Sequence, residues 1–149
     1  MSIDNMQKYA NYKVQMGRLN KALANHFYLE AIFIEYAVLE DRLESILRNS
    51  CKWNSKPGSF VSIYQKCKRV SKLSEEKKGL AHKYFSQDLI DRILDWKDRR
   101  NPLIHALLKR KVTTEDLQSF AEEGKALARE LSNKVTSYNR KIDKLKGKN

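Results

Sequence analysis

The sequence predicts an all-α protein, a bundle of four or five helices with a long C-terminal one, and three observations carry that expectation. Gly (5) and Pro (2) are scarce, whereas an all-β chain needs turn residues every 8–12 positions or so. Apolar residues recur at mixed steps of three and four in several long segments. Hydrophobic residues make up 41% and charged residues 32% of the 149, a globular but charge-rich balance. The length suits a single domain over 1–149.

Each element has its own signal. From Ile3 to about Leu23, Met6, Tyr9, Ala10, Met16, Leu19 and Leu23 lie near helical spacing, with a bend expected near Gly17–Asn20 because glycine weakens a helix interior. The segment from Lys21 to Arg48 is the clearest helix. Over Phe27–Leu39 its only charged residues are Glu30 and Glu35, so apolar side chains cover most of the circumference and more than one side is expected to be covered. That makes it the central helix of a bundle, or a helix that also meets a second subunit. Ser55-Lys56-Pro57-Gly58-Ser59 reads as a loop.

A shorter helix is expected from Ser59, with Phe60, Ile63, Tyr64, Cys67 and Val70 on one side and Lys66, Lys68, Arg69 and Lys72 facing out. Ser74–Tyr84 is polar and reads at most as a helical turn. Phe85, Leu89, Ile90, Ile93, Leu94 and Trp96 mark a fourth helix, with Trp96 expected in the core. Asn101-Pro102 then reads as a helix start, since Asn caps well and Pro at the first position loses no hydrogen bond. The fourth helix is therefore expected to stop near Arg100, with a short new one from Pro102 to about Arg110. Thr113-Thr114-Glu115-Asp116 caps the last helix, on the order of 45 Å long if continuous, with a lysine-rich end over 141–149 expected to fray.

Thirty basic residues against 18 acidic ones give a net charge of +12. Such a field attracts polyanions, nucleic acid first and an anionic membrane surface second; the plainer alternative is that the charge keeps the chain dissolved. The N-terminus carries no apolar signal-peptide core, and no apolar run approaches a bilayer's thickness. Cys51 and Cys67 are the only cysteines and read as free thiols in a reducing, cytoplasmic compartment. With His82 and His105 at no familiar ligand spacing from them, no metal site is expected, nor any cofactor.

The residues able to carry chemistry are Arg100, Asn101 and His105. If Asn101 caps a helix, the three side chains converge at its N-terminus, where unpaired N–H groups favour anions. Arginine offers a rigid fork for phosphate, and histidine exchanges a proton near neutral pH. That suffices to cleave RNA without metal, because the substrate's own 2′-hydroxyl is the nucleophile. A bare Arg-to-His spacing carries little information in a chain with ten arginines; the Arg-Asn doublet, the helix boundary and the basic surroundings carry more. The competing reading is that Arg100 and His105 merely cap and solvate a helix junction. Around them Lys97, Arg99, Lys66, Lys68 and Arg69 form a candidate RNA-binding surface, with Trp53, between Lys52 and Asn54, a candidate for stacking on a base.

Arg100-Asn101-x-x-x-His105 between amphipathic helices resembles the signature of the HEPN superfamily (higher eukaryotes and prokaryotes nucleotide-binding), whose active members carry an Arg-x(4–6)-His motif with a polar residue often following the arginine. The stretch Phe33-Ile34-Glu35-Tyr36-Ala37-Val38-Leu39-Glu40-Asp41-Arg42-Leu43-Glu44 is also similar to the long second helix of such proteins. The adjoining Asn101 favours Arg100 over Arg99 as the motif arginine. The resemblance implies a four- or five-helix bundle that forms a homodimer, with two Arg/His pairs at a shared cleft. It also implies a metal-independent endoribonuclease of toxin–antitoxin, phage-defence or RNA-processing type, leaving a 2′,3′-cyclic phosphate and a 5′-hydroxyl. Other members are non-catalytic binding or assembly modules, and an antitoxin or a nucleotidyltransferase is the kind of partner the resemblance implies.

Overall fold

The computed structural model describes residues 3–50, 53, 61–76, 79–109 and 111–147, the side chains of 3–5 excepted. Among them there are five α-helices and no strand: α1 (Ile3–Ala24), α2 (Tyr28–Asn49), α3 (Ile63–Glu75), α4 (Gln87–Leu108) and α5 (Thr114–Gly147), with a 3-10 turn at Leu80–Lys83 before α4. The all-helical bundle with a long last helix is as expected. Cys51, Ser59, Phe60 and Arg110, which entered the expectations above, lie outside the described residues.

α1 runs unbroken through Gly17, whose added Cβ would meet nothing within 4 Å. An exposed glycine costs a helix only about 1 kcal/mol, too little to break one that seats Leu19 and Ala22 in the core. The break comes later, at Asn25-His26. Phe27 N–H donates to the Ala22 carbonyl (2.8 Å) and His26 N–H to that of Leu23 (3.2 Å), the paired bonds of a Schellman motif. His26 therefore takes the left-handed conformation (φ 61°) that glycine usually fills there. Its Nδ1 hydrogen-bonds the Tyr28 hydroxyl at 2.6 Å, which holds the turn.

α2 is the central element, packed by α1 on one side, by α5 along its length, and by α3 near its C-terminal half. Leu39, Leu43, Ile46 and Leu47 are fully buried along it. α3 begins at Ile63, later than its periodicity suggested, because Ser62 caps it: Gln65 N–H donates to Ser62 Oγ (3.2 Å) and Ser62 N–H to the Gln65 side chain (3.4 Å). α5 opens on an equivalent reciprocal pair, Asp116 N–H to Thr113 Oγ1 (3.1 Å) and Thr113 N–H to Asp116 Oδ2 (3.2 Å). It remains helical to Gly147, so the lysine-rich end does not fray over 141–147.

The core's largest buried side chain is Trp96. It stacks on Phe120 of α5 (4.8 Å between centroids, planes 5° apart) and donates Nε1–H to the Phe120 carbonyl at 3.1 Å. A Cβ at Gly124 would fall 2.6 Å from the Trp96 ring and collide with Glu35 Oε1, so only glycine admits this close approach of α5 to α2 and α4.

The expected break at Asn101-Pro102 is absent. α4 is continuous from Gln87 to Leu108 with Pro102 inside it. Proline cannot donate to the carbonyl four residues back, that of Asp98. Both residues face solvent, as does Asn101, so water can serve the freed carbonyl and the helix survives the loss. The signals for a new start were real but local, and the continuous helix half-buries Leu103 and packs it against the core beyond the proline.

Candidate nucleic-acid interface on α2, α3 and α4

Continuity through Pro102 changes the geometry of the motif. Asn101 does not cap a helix, so no ring of unpaired N–H groups surrounds Arg100 and His105. Five residues along an α-helix turn the side chain by about 140°, so Arg100 and His105 of one chain point to different sides and do not converge. Asn101 and His105, one turn apart, share an exposed face.

The two neighbouring arginines have different environments. Arg99 lies against α5: its Nε donates to Asp95 at 2.9 Å and its Nη2 to Glu123, with Phe120 beneath the guanidinium at 5.4 Å. The bond to Glu123 foremost raises its already high pKa. Two of its N–H donors go to carboxylates, so its charge is already matched within the fold. Arg100, turned by 100°, lies over the Tyr36 ring of α2 at 4.1 Å from the centroid. Its Nε is buried with no hydrogen-bond partner, and no carboxylate among the described residues pairs with it. Of the doublet, Arg100 is the arginine without a carboxylate and with a buried, unpartnered donor.

The other candidate residues divide similarly. Lys66 is not on the outer face: it is 5% exposed, with its Nζ 3.7 Å from Glu40 and 3.5 Å from Glu44. It is a structural cation between α3 and α2, and it leaves the RNA-binding set. Its position on α3, one turn before Val70 on the buried side, could have flagged this. Lys68 is exposed and lies 4.9 Å over the Tyr64 ring; Lys97, from α4, lies over the same ring at 5.6 Å and 3.1 Å from Asp98. Trp53 is half-buried against the core rather than loose in a loop. Arg48, Lys66 and Arg69 lie over its ring at 5.6, 5.7 and 5.7 Å, so it serves as a platform for these cations.

Cys67 is buried and its thiol is pushed up to about 12 by desolvation, with Lys97 nearby acting the other way; it is an inert core residue. Among the described residues no group of three or more His, Cys, Asp or Glu side chains could hold a metal ion, and no helix is long and apolar enough to cross a membrane.

One functional-looking group escaped the sequence reading. Glu35 is fully buried, with neither carboxylate oxygen hydrogen-bonded. Burial pushes its pKa up to about 9, with the charge of Lys125 acting against the shift. It is a neutral acid at pH 7. Its position between Ile34 and Tyr36 gave no clue, because burial depends on where α4 and α5 lie.

Exposed apolar side chains also collect beside Arg100. On α2, Phe33 (59% exposed) stands one turn from Tyr36 and Ala37. On α4, Ile104 and Leu107 are half-buried and Leu108 is 80% exposed. Compared with protein-family models, curated proteins and solved structures, the chain finds no match.

Proposed function

We propose that this chain is a metal-independent endoribonuclease of the HEPN type. The observation that carries the reading is Arg100: a guanidinium stacked on Tyr36 with a buried, unpartnered Nε, beside an Arg99 paired with two carboxylates. A protein rarely buries a cationic donor without an acceptor, and a phosphate supplies one.

In this reading His105 takes the proton of the 2′-hydroxyl, or gives one to the departing 5′-oxygen. The 2′-oxygen bonds to phosphorus as the bond to the 5′-oxygen breaks, leaving a 2′,3′-cyclic phosphate and a 5′-hydroxyl. Arg100 balances charge on the non-bridging oxygens, and Asn101 orients the phosphate or the imidazole. Since Arg100 and His105 of one helix diverge, the working site is assembled from two copies, the histidine of one opposite the arginine of the other. Phe33, one turn from the Tyr36 under Arg100, and Leu108, two turns beyond Arg100 on α4, are exposed and support a homodimer through this side of the bundle. The same divergence favours a second reading, a helical module that binds RNA or a protein partner without cutting.

The test is incubation of the purified protein with mixed RNA in EDTA. His105→Ala is expected to lose about 10²–10⁴ in single-turnover rate with melting temperature and RNA affinity nearly unchanged. Arg100→Ala is expected to lose both rate and affinity. If His105→Ala cuts as fast as wild type, the catalytic assignment is wrong; if wild type binds RNA but never cuts it, the second reading replaces the first.

A further inference from the structure

Arg100 is not the only arginine of its kind. Arg69 of α3 also lies over an aromatic ring, that of Trp53, at 5.7 Å from its centroid. Its Nη1 is likewise buried with no hydrogen-bond partner. Arg18, Arg42, Arg48, Arg92 and Arg99 each face a carboxylate within hydrogen-bonding distance; Arg69 and Arg100 do not, and unlike the exposed Arg129 and Arg140 each keeps a buried donor without a partner.

The two sites are linked by one row of side chains. Tyr36, Glu40, Glu44 and Arg48 follow at steps of four along α2, a single ridge of about 18 Å. Arg100 rests on its first member. Lys66 meets Glu40 and Glu44 in the middle. Arg48 donates to Glu44 at 3.0 Å and reaches the Trp53 ring, on which Arg69 lies. Within this row each acid is matched by Lys66 or Arg48, which leaves the two end arginines uncompensated.

We infer that Arg69, held on Trp53, is a second phosphate-binding subsite for the RNA strand whose scissile phosphate lies at Arg100. The inference rests on the ribonuclease reading for the identity of the strand. The indole holds the guanidinium by a cation–π contact, and its donors, unpaired with any carboxylate, are left for a phosphate oxygen. A ridge of about 18 Å separates the subsites by a few nucleotides of an extended strand. Contact is with the backbone, so it anchors the strand without reading bases.

The test uses non-cleavable 2′-O-methyl oligouridylates, a trinucleotide and one of about twelve nucleotides, titrated over a range of salt. Arg69→Gln keeps the stem over Trp53 and removes the charge. It is expected to weaken the long strand about tenfold, to lower the slope of log affinity against log salt by about one, and to leave the trinucleotide unaffected. Arg100→Ala should weaken both strands. Wild-type affinity and slope for the long strand in a folded Arg69→Gln overturn the subsite while leaving the site at Arg100 standing. Equal weakening of both strands also overturns it, since Arg69 would then act on the fold or on the Arg100 site. Failure of the wild-type protein to bind either strand at low salt overturns this inference and the ribonuclease reading together.

Discussion

The two halves of α4 are made of the same helix but do different work. Up to Arg99, Leu89, Ile90, Ile93 and Trp96 are buried, and Arg92 and Arg99 grip Glu130 and Glu123 of α5. From Arg100 to Leu108 no residue is buried, and Leu108 is 80% exposed. The motif straddles the boundary, so that one residue step, a turn of 100°, separates an arginine spent on α5 from one stacked on α2 with a donor to spare. Within α4, the arginine left with an unpartnered donor is the one at the edge of the packed region, where a ligand or a second chain can supply an acceptor.

The largest expected effect on stability tests the packed half. Trp96→Ala removes the stacking on Phe120 and the bond from Nε1, and should cost about 3–5 kcal/mol. Leu108→Ala should stay within about 0.5 kcal/mol in a monomer. Urea denaturation of both variants measures the contrast, and similar losses would erase the division between the halves.

Glu35 is the polar flaw in that packed region. Its carboxyl stays protonated in the folded chain to about pH 9 but ionises near 4.5 when unfolded. Between those values the unfolded state binds fewer protons, so Glu35 lowers stability progressively as pH rises from 4.5 towards 9. By pH 7 the loss is about 3 kcal/mol. Glu35→Gln does not titrate, so its melting temperature should rise relative to wild type between pH 5 and pH 8. A constant difference across that range would mean that the carboxyl is not buried neutral.

Pro102 offers a smaller effect with a clear sign. If α4 is continuous, Pro102→Ala restores a hydrogen bond to the Asp98 carbonyl and should stabilise by about 1–3 kcal/mol. If a helix began there, the same change would be neutral or destabilising. Thermal melts distinguish the two.

The smallest effect is expected at Arg99. Its ion pairs with Asp95 and Glu123 are about half exposed, and Arg99→Ala should cost less than about 1 kcal/mol. RNA affinity should hardly change, because its charge is already paired with two carboxylates. A loss as large as that of Arg100→Ala would undo the distinction between the two arginines.

Local signals and tertiary placement can now be told apart. Periodicity found all five helices, but it placed the start of α2 at Lys21, inside α1, where the structure has Tyr28. The cap at Thr113 was legible, while those at Ser62 and Ser86, equally local, were not read. Trp96 was legible as core because it continues the stripe of Leu89 and Ile93. Asn101-Pro102 misled because its preferences are also local, worth about 1–3 kcal/mol, and packing on both sides of the proline outweighs them.

What sequence by itself determined, then, is the helical class, the presence of the five helices, the capped start of α5, the basic charge and the residues of the motif, since these follow from interactions within a few residues. Which arginine keeps a free donor, that Lys66 and Glu35 are buried, and that Arg100 and His105 diverge were decided only by the tertiary structure. The physical reason is common to all four. Burial and ion pairing depend on what a neighbouring helix presents: Glu40 and Glu44 to Lys66, Gly124 to Glu35, Tyr36 to Arg100. Those neighbours lie 22 or more residues away in the chain, beyond the reach of any local pattern.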